Sequence, residues 1–294
     1  MKIKEKRQDR TIDIIFTIIL ILIAIVCLYP LWFVVIASFS NPTEIAAGNV
    51  IFWPKDISLD GYKEMLNHPE IWIGYRNSAL YLFGGAFAGL ATILPAAYAL
   101  SRRKLKGRRT INFLFVIVMY FSGGIIPLYL LHNSLGWIDT PWVILIPTAL
   151  NVSNMIIARS SFEAIPEALY ESAAIDGCDD FRFFFQFALP LAKATVAVLF
   201  LFYAIAMWNQ YMNFVMYIRN PALQSLQVII REITTAVAKE GYEGMSAAQL
   251  MQEQKVRDLL KYCVVVIAAL PFTILYPFIQ KYFNGGVMVG AVKG

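Results

Sequence analysis

Of 294 residues, 59% are hydrophobic and 15% charged, against roughly 45–50% and about 25% in an ordinary soluble domain. This balance excludes a soluble globular chain and points to an all-α, polytopic membrane protein. The net charge of +5 does not signal nucleic acid, because the basic residues flank apolar runs, where they meet lipid headgroups and set topology.

Lys2, Lys4, Lys6, Arg7 and Arg10 precede the first apolar run, about Ile14–Ile36, interrupted only by Thr17 and Pro30. It exceeds the apolar stretch of about 7–15 residues in a cleaved signal peptide, so a retained spanning helix is expected. The second span is read at Ser78–Leu100. Its Gly84, Gly85, Gly89 and Pro95 include the small residues that let helices approach closely in lipid. The third, about Ile111–Leu131, is broken by Gly123-Gly124 and Pro127; the fourth, Trp142–Ala158, is short and contains Pro147 and Asn151. A fifth follows Pro190 and runs to about Tyr217, and a sixth covers Leu259–Ile279, with Pro271 and Pro277.

Six transmembrane helices are therefore expected. The division is an N-terminus (1–13), a first helix (14–38), an extracytoplasmic segment (39–77), a core with five helices (78–280), and a tail (281–294). Lysine and arginine assign the sides. The connection Ser101–Arg109 carries Arg102, Arg103, Lys104, Lys106, Arg108 and Arg109, whereas His132–Pro141 carries none. Both termini and the loop 159–194 are thus expected in the cytoplasm.

Outside, Trp53, Tyr62, Trp72 and Tyr75 suit either an interfacial aromatic belt or a surface for an extracellular partner. Gln224–Ala238 reads as an amphipathic helix with Leu226, Ile229, Ile230 and Ile233 on one face, and Met245–Asp258 as a polar segment. Cys27, Cys178 and Cys263 are far apart, and His68 and His132 stand alone in predicted loops. No metal or cofactor site is indicated.

The loop 159–194 holds an acidic island. Pro166 suits a first helical turn, with Glu167 at the positive end of the dipole. Ala168, Leu169, Ser172 and Ala173 are expected to form a small-residue face open to a partner. Gly177 fits the helix end, and Asp179 or Asp180 the next cap. Phe181, Phe184, Phe185, Ala188 and Leu189 then recur as an apolar stripe anchored on the membrane helices, and Pro190 leads into the fifth span. Glu163, Glu167, Glu171, Asp176, Asp179 and Asp180 suit a basic protein groove better than anionic lipid.

Glu171-Ser-Ala-Ala-Ile-Asp-Gly177, followed by Leu189-Pro190, resembles the EAA loop of permease subunits of binding-protein-dependent ABC importers. Ser172, Cys178 and Phe187 are mild departures. Phe121–Pro127, Trp208-Asn209 and Tyr282–Gly294 extend the likeness to the carbohydrate permeases, especially the oligosaccharide, lipoprotein-associated subgroup. The resemblance implies a type I importer permease fold with a cytoplasmic coupling helix in the bacterial plasma membrane. It implies a heterodimer with a homologous second permease, two cytoplasmic ATP-binding subunits and an extracytoplasmic sugar-binding lipoprotein. Glu167, Glu171, Ser172, Ala173, Ala174, Asp176, Gly177, Phe181 and Pro190 would then couple to the ATPase.

The chain has no P-loop of its own, and its spans hold almost no ionisable residue of the kind that couples transport to ions. Energy must arrive through a partner. Sugars need aromatic faces and amide or hydroxyl groups. Tyr203, Trp208, Asn209, Tyr211 and Asn213 supply these on the fifth span, with Asn209 and Asn213 read as sharing one helical face. Tyr120, Ser122, Asn151 and Asn154 are further path residues. For each alone, interhelical hydrogen bonding is the competing role. A stand-alone facilitator or scaffold with a docking loop is the alternative function.

Overall fold

The computed structural model describes residues 7–236, 255, 259–275 and 277. Among them there are helices and no strands. They form two compact units: the described parts of residues 1–68 with 232–270, and of residues 69–231 with 271–294.

In the first unit, α1 (Arg7–Ser38) is a single apolar rod, and its stretch Ile12–Ser38 is long enough to cross a bilayer. Its membrane-length window buries nothing within the chain. Beyond it, α2 (Pro42–Ala46) is capped by Asn41, whose side chain accepts from the Thr43 N–H at 2.9 Å. The chain then folds back: Trp32 Nε1 donates to the Phe52 carbonyl at 2.9 Å, and Asn41 N–H to that of Lys55 at 3.0 Å. Trp53 stands edge-on to Trp32 at 6.1 Å and stays exposed, whereas Tyr62 in α3 (Asp60–Asn67) is half-buried, hydrogen-bonded to Ser38 at 2.7 Å.

The second unit is built on α4 (Pro69–Ser101), which begins well before the expected Ser78. Hydropathy falls at Arg76 and Asn77, but the helix continues because these polar groups have partners. Asn77 Nδ2 donates to the carbonyls of Ala222 and Gln224 at 2.8 and 2.9 Å. Ser78 Oγ accepts from Leu226 N–H at 2.9 Å, and Tyr81 donates to the Leu223 carbonyl at 3.2 Å.

The third expected span is α5 (Arg108–Tyr120) and α6 (Ile125–Ser134), bent by 110° at Gly123-Gly124. The fourth is α7 (Trp142–Ala149) and α8 (Val152–Glu163), bent by 43°. After α9 (Glu167–Ile175), the fifth is α10 (Asp180–Leu191) and α11 (Lys193–Trp208), bent by 81°. It stops short of the expected Tyr217, and a separate α12 (Met212–Tyr217) follows. The amphipathic helix is α13 (Leu226–Ala236), with Leu226, Ile229 and Ile230 buried. The sixth expected span overlaps an apolar helix, α14 (Leu259–Leu275). Apart from Pro277, its remainder lies outside the described residues, as do most of Met245–Asp258 and the Tyr282–Gly294 tail. Among the described residues, two helices are long and apolar enough to span a bilayer, and up to five spans result if each bent pair is one.

α7, α8 and α11 pack around α4. The expected close approach occurs at two of the three glycines. A Cβ on Gly89 would stand 2.5 Å from the Tyr203 ring, and one on Gly85 2.5 Å from Met207. At Gly84 the nearest atom, from Leu145, is 3.5 Å away, an ordinary contact.

His132 is not a solvated loop residue. α6 runs through it, and the following turn buries the ring against Trp137 and Tyr217, with centroids 5.9 and 4.9 Å apart. Asp139, at φ 60, holds that turn by accepting from the N–H groups of Arg219 and Asn220 at 2.9 and 2.8 Å.

Gly89→Val is expected to cost about 1–3 kcal/mol through overpacking against Tyr203, with a clear fall in apparent Tm of the purified protein. Gly84→Val should leave the Tm nearly unchanged. Equal shifts for the two would refute this account of the packing.

Candidate functional site

The acidic island folds as two short helices around a glycine turn. α9 ends in paired backbone bonds: Cys178 N–H donates to the Ala173 carbonyl at 2.9 Å and Gly177 N–H to that of Ala174 at 3.1 Å. This Schellman arrangement needs a left-handed residue, and Gly177 supplies it at φ 80. Asp179, not Asp180, caps α10, accepting from Arg182 N–H at 2.7 Å.

The face of α9 differs from the sequence reading. Ala173 is buried and Leu169 half-buried, both packed on this chain's own core, so they are not open to a partner. Ala168 and Ser172 of the expected face do lie open, and the outward side is completed by Glu171, Ala174, Ile175 and Asp176, with Ile175 87% exposed. The apolar stripe of α10 is also corrected. Phe181 and Phe185 are 74% and 52% exposed, whereas Phe183 is 1% exposed. A π turn over Phe184–Ala188 shifts the helical register, and Leu189 N–H reaches back five residues to the Phe184 carbonyl. Pro190 follows directly and has no N–H to restore the α pattern.

Phe183 joins an aromatic cluster that ties the island to α4 and α8. Its ring lies 5.2 Å from Tyr170, 5.2 Å from Phe187 and 6.5 Å from Tyr98. Tyr98 in turn meets Phe162 at 5.8 Å and Phe184 at 5.1 Å.

Charges reinforce this join. The Arg102 guanidinium sits 3.5 Å above the Tyr170 ring and 3.4 Å from Glu167. Arg108 and Arg159 both reach Glu163. Two of the six acidic residues therefore answer the chain's own basic connection rather than a partner. The Asp180 carboxylate facing the Tyr170 hydroxyl raises that phenol's pKa, keeping it neutral under ordinary conditions.

The proposed path residues divide by how their polar ends are used. Tyr203 is buried; its hydroxyl donates to the Ala149 carbonyl at 3.0 Å and accepts from Asn151 N–H at 3.3 Å. Asn151 Oδ1 caps α8 by accepting from Asn154 N–H at 3.0 Å, and Asn154 is buried. Trp208 is buried against Tyr75, centroids 6.0 Å apart. Asn209 and Asn213 do not share a helical face, because α11 ends at Trp208 and α12 begins at Met212. Asn209 Nδ2 bonds the Ile205 carbonyl at 3.0 Å, a local bond that competes with helix continuation. Tyr211 bonds and stacks with Arg231. Tyr120 is exposed, and Ser122 Oγ accepts from Gly124 N–H at 3.2 Å.

Residues 4–235 match the family described as binding-protein-dependent transport system inner membrane component. The chain belongs to this family. It is 36% identical over 287 residues to the polygalacturonan/rhamnogalacturonan transport system permease protein YtcP of Bacillus subtilis (strain 168), covering 98% of this chain and 100% of the relative. It is 34% identical to Protein LplC of the same organism, covering 98% and 97%. A crystal structure of a bacterial ABC transporter involved in import of the acidic polysaccharide alginate contains a chain similar at TM-score 0.85 and 31% identity. That match covers 96% of this chain and 100% of the other. This is the permease component of an ABC importer, and ATP hydrolysis resides in a separate subunit.

The clamp between the basic connection and the island, together with the aromatic cluster, was not legible from spacing. Lysine and arginine counts led to the expectation that the two loops share one side of the membrane, but the pairing between them requires the fold. Phe183→Ala should cost about 3–5 kcal/mol through an unfilled core site, whereas Phe181→Ala should leave the apparent Tm almost unchanged. Comparable losses would contradict the register assigned to α10.

Proposed function

We propose that this permease imports oligosaccharides or polysaccharide fragments, acidic ones in particular, and that α9 with its Gly177 turn is its docking point for the ATPase. The outward Glu171, Ser172, Ala174, Ile175 and Asp176 beside an inward Ala173 carry the reading: a helix cemented on one side and presented on the other. Glu167, Gly177, Phe181 and Pro190 complete the coupling segment.

The sugar class rests on similarity to a permease named for polygalacturonan and rhamnogalacturonan, and to a transporter of the acidic polysaccharide alginate. The exposed Tyr120, Ser122 and Asn209, with Tyr211 and Asn213, are favoured for substrate contact. Tyr203, Asn151, Asn154 and Trp208 shape the path through the helix breaks. Its working assembly is a heterodimer with a homologous permease, two ATP-binding subunits and an extracytoplasmic sugar-binding protein. It has six spans with both termini cytoplasmic. The ion pairs of Arg102 and Arg108 with Glu167 and Glu163 support one shared side for the basic connection and the coupling loop.

ATPase closure would move α9, and the packed ends of α4 and α8 would move with it, shifting the balance between inward- and outward-facing cavities.

Glu171→Lys and Gly177→Pro are expected to insert normally yet lose ATPase co-purification and uptake. Proline cannot adopt φ 80 or supply the N–H bound to Ala174. Retention of the ATPase by both variants would refute the docking assignment. In proteoliposomes holding the whole complex and its binding protein, oligogalacturonides should compete for uptake more strongly than neutral oligosaccharides of equal length. Sugar flux through this chain alone would instead favour a facilitator.

A further inference from the structure

A cavity of about 530 Å³ opens beside the coupling segment, between the C-terminal end of α4, the basic connection and α10. Pro95, Ala99, Phe184 and Phe185 give it an apolar wall, while Arg102, Lys104 and Asp180 bring both signs of charge to it. The Tyr98 hydroxyl, buried in the same wall, lies near Asp180, with no hydrogen-bond partner of ordinary geometry among the described residues.

The cavity also continues an apolar track. Leu80, Phe83, Phe87, Ala91, Pro95 and Ala99 follow one another at three or four residues along α4, hence on one face, and all are exposed. The track runs along a helix long and apolar enough to cross a bilayer and ends at the charged group of side chains. A small anion would leave the apolar wall unused. A neutral detergent-like molecule would leave Lys104 without a countercharge and Asp180 with only tyrosine hydroxyls beside it.

We propose that this cavity binds a phospholipid whose headgroup carries both a phosphate and a primary ammonium. Lys104 and Arg102 take the phosphate through charge-assisted hydrogen bonds. Asp180 and the Tyr98 hydroxyl accept from the ammonium, and one acyl chain lies along the α4 track. The bound lipid then touches α4 and α10 at once and stiffens the seat of the coupling helix. The proposal rests on the reading above that the basic connection faces the cytoplasm.

The test uses the complete importer, purified through this chain, stripped of lipid and titrated with dioleoyl phosphatidylethanolamine, phosphatidylcholine or phosphatidylglycerol. Adducts on this chain are counted by native mass spectrometry. Phosphatidylethanolamine should bind most tightly, since phosphatidylcholine has no ammonium N–H for Asp180 and phosphatidylglycerol no ammonium at all. Ala99→Trp, at an exposed position lining the cavity, should abolish the adduct, and Lys104→Ala or Asp180→Asn should weaken it about tenfold. ATPase retention should be unchanged in all three.

Equal binding of the three lipids to wild type and variants overturns the proposal. Displacement of the lipid by millimolar inorganic phosphate makes it a phosphate site instead and also overturns it. Loss of the ATPase in Ala99→Trp, with lipid binding unchanged, shows that a protein segment fills the cavity. If wild type carries no ATPase at all, the docking assignment fails, while the lipid titration on this chain is still read.

Discussion

The constraint on which this architecture depends is the pairing of backbone N–H and C=O groups where helices break in apolar surroundings. Lipid offers no hydrogen bonds, so an interrupted span survives only if the protein supplies partners. Here the partners are side chains on neighbouring helices. Tyr203 bridges the carbonyl of Ala149 and the N–H of Asn151 across the α7–α8 break. Asn77, Ser78 and Tyr81 on α4 serve the irregular backbone from Ala222 to Leu226. Gln224, itself buried, closes the same segment by donating to the Ile218 carbonyl at 2.6 Å. The polar residues of an apolar chain are thus first of all its internal scaffolding.

This explains which parts of the molecule were legible in the sequence. Apolar length located α1 and α4, and the Gly-Gly pair marked the sharpest bend, because these signals depend on local composition. The start of α4 was misplaced because hydropathy treats Arg76 and Asn77 as an ending, while Arg76 bonds to Asn77 and Asn77 to the distant carbonyls of Ala222 and Gln224. The pairing of Asn209 with Asn213 failed because spacing assumes an unbroken helix. The phenylalanine stripe held in part: Phe184 and Ala188 are buried, but the inward face takes Phe183, and Phe181 and Phe185 stay exposed. In a run of phenylalanines several faces are apolar, so spacing alone does not choose the inward one.

The acidic island was found from its polarity, and the family relationship followed from the same residues. The division of labour within it is a property of the fold. Glu163 and Glu167 are drawn to Arg108, Arg159 and Arg102, so they fasten the segment down, while Glu171 and Asp176 face outward. A count of negative charges therefore overstates what a basic partner would meet. Ile175, an apolar side chain with almost no cover in its own chain, adds a contribution that a charge-based reading passes over.

Transmission of force requires that the handle not bend before the helices move. Surface ion pairs alone would be a soft joint, each contributing about 0–1 kcal/mol. The aromatic cluster is stiffer, since close-packed rings resist displacement and transmit strain. Phe183 contacts Tyr170 on α9 and Tyr98 on α4, while Tyr98 also meets Phe162 on α8. One buried ring thus couples the end of α9 to two helices of the core. The left-handed turn at Gly177 fixes the angle between α9 and α10, and Phe183 sets their distance from α4. On the proposal that the ATPase docks at α9, a push there would be shared among α4, α8 and α10, with the 81° bend between α10 and α11 redirecting it into the span.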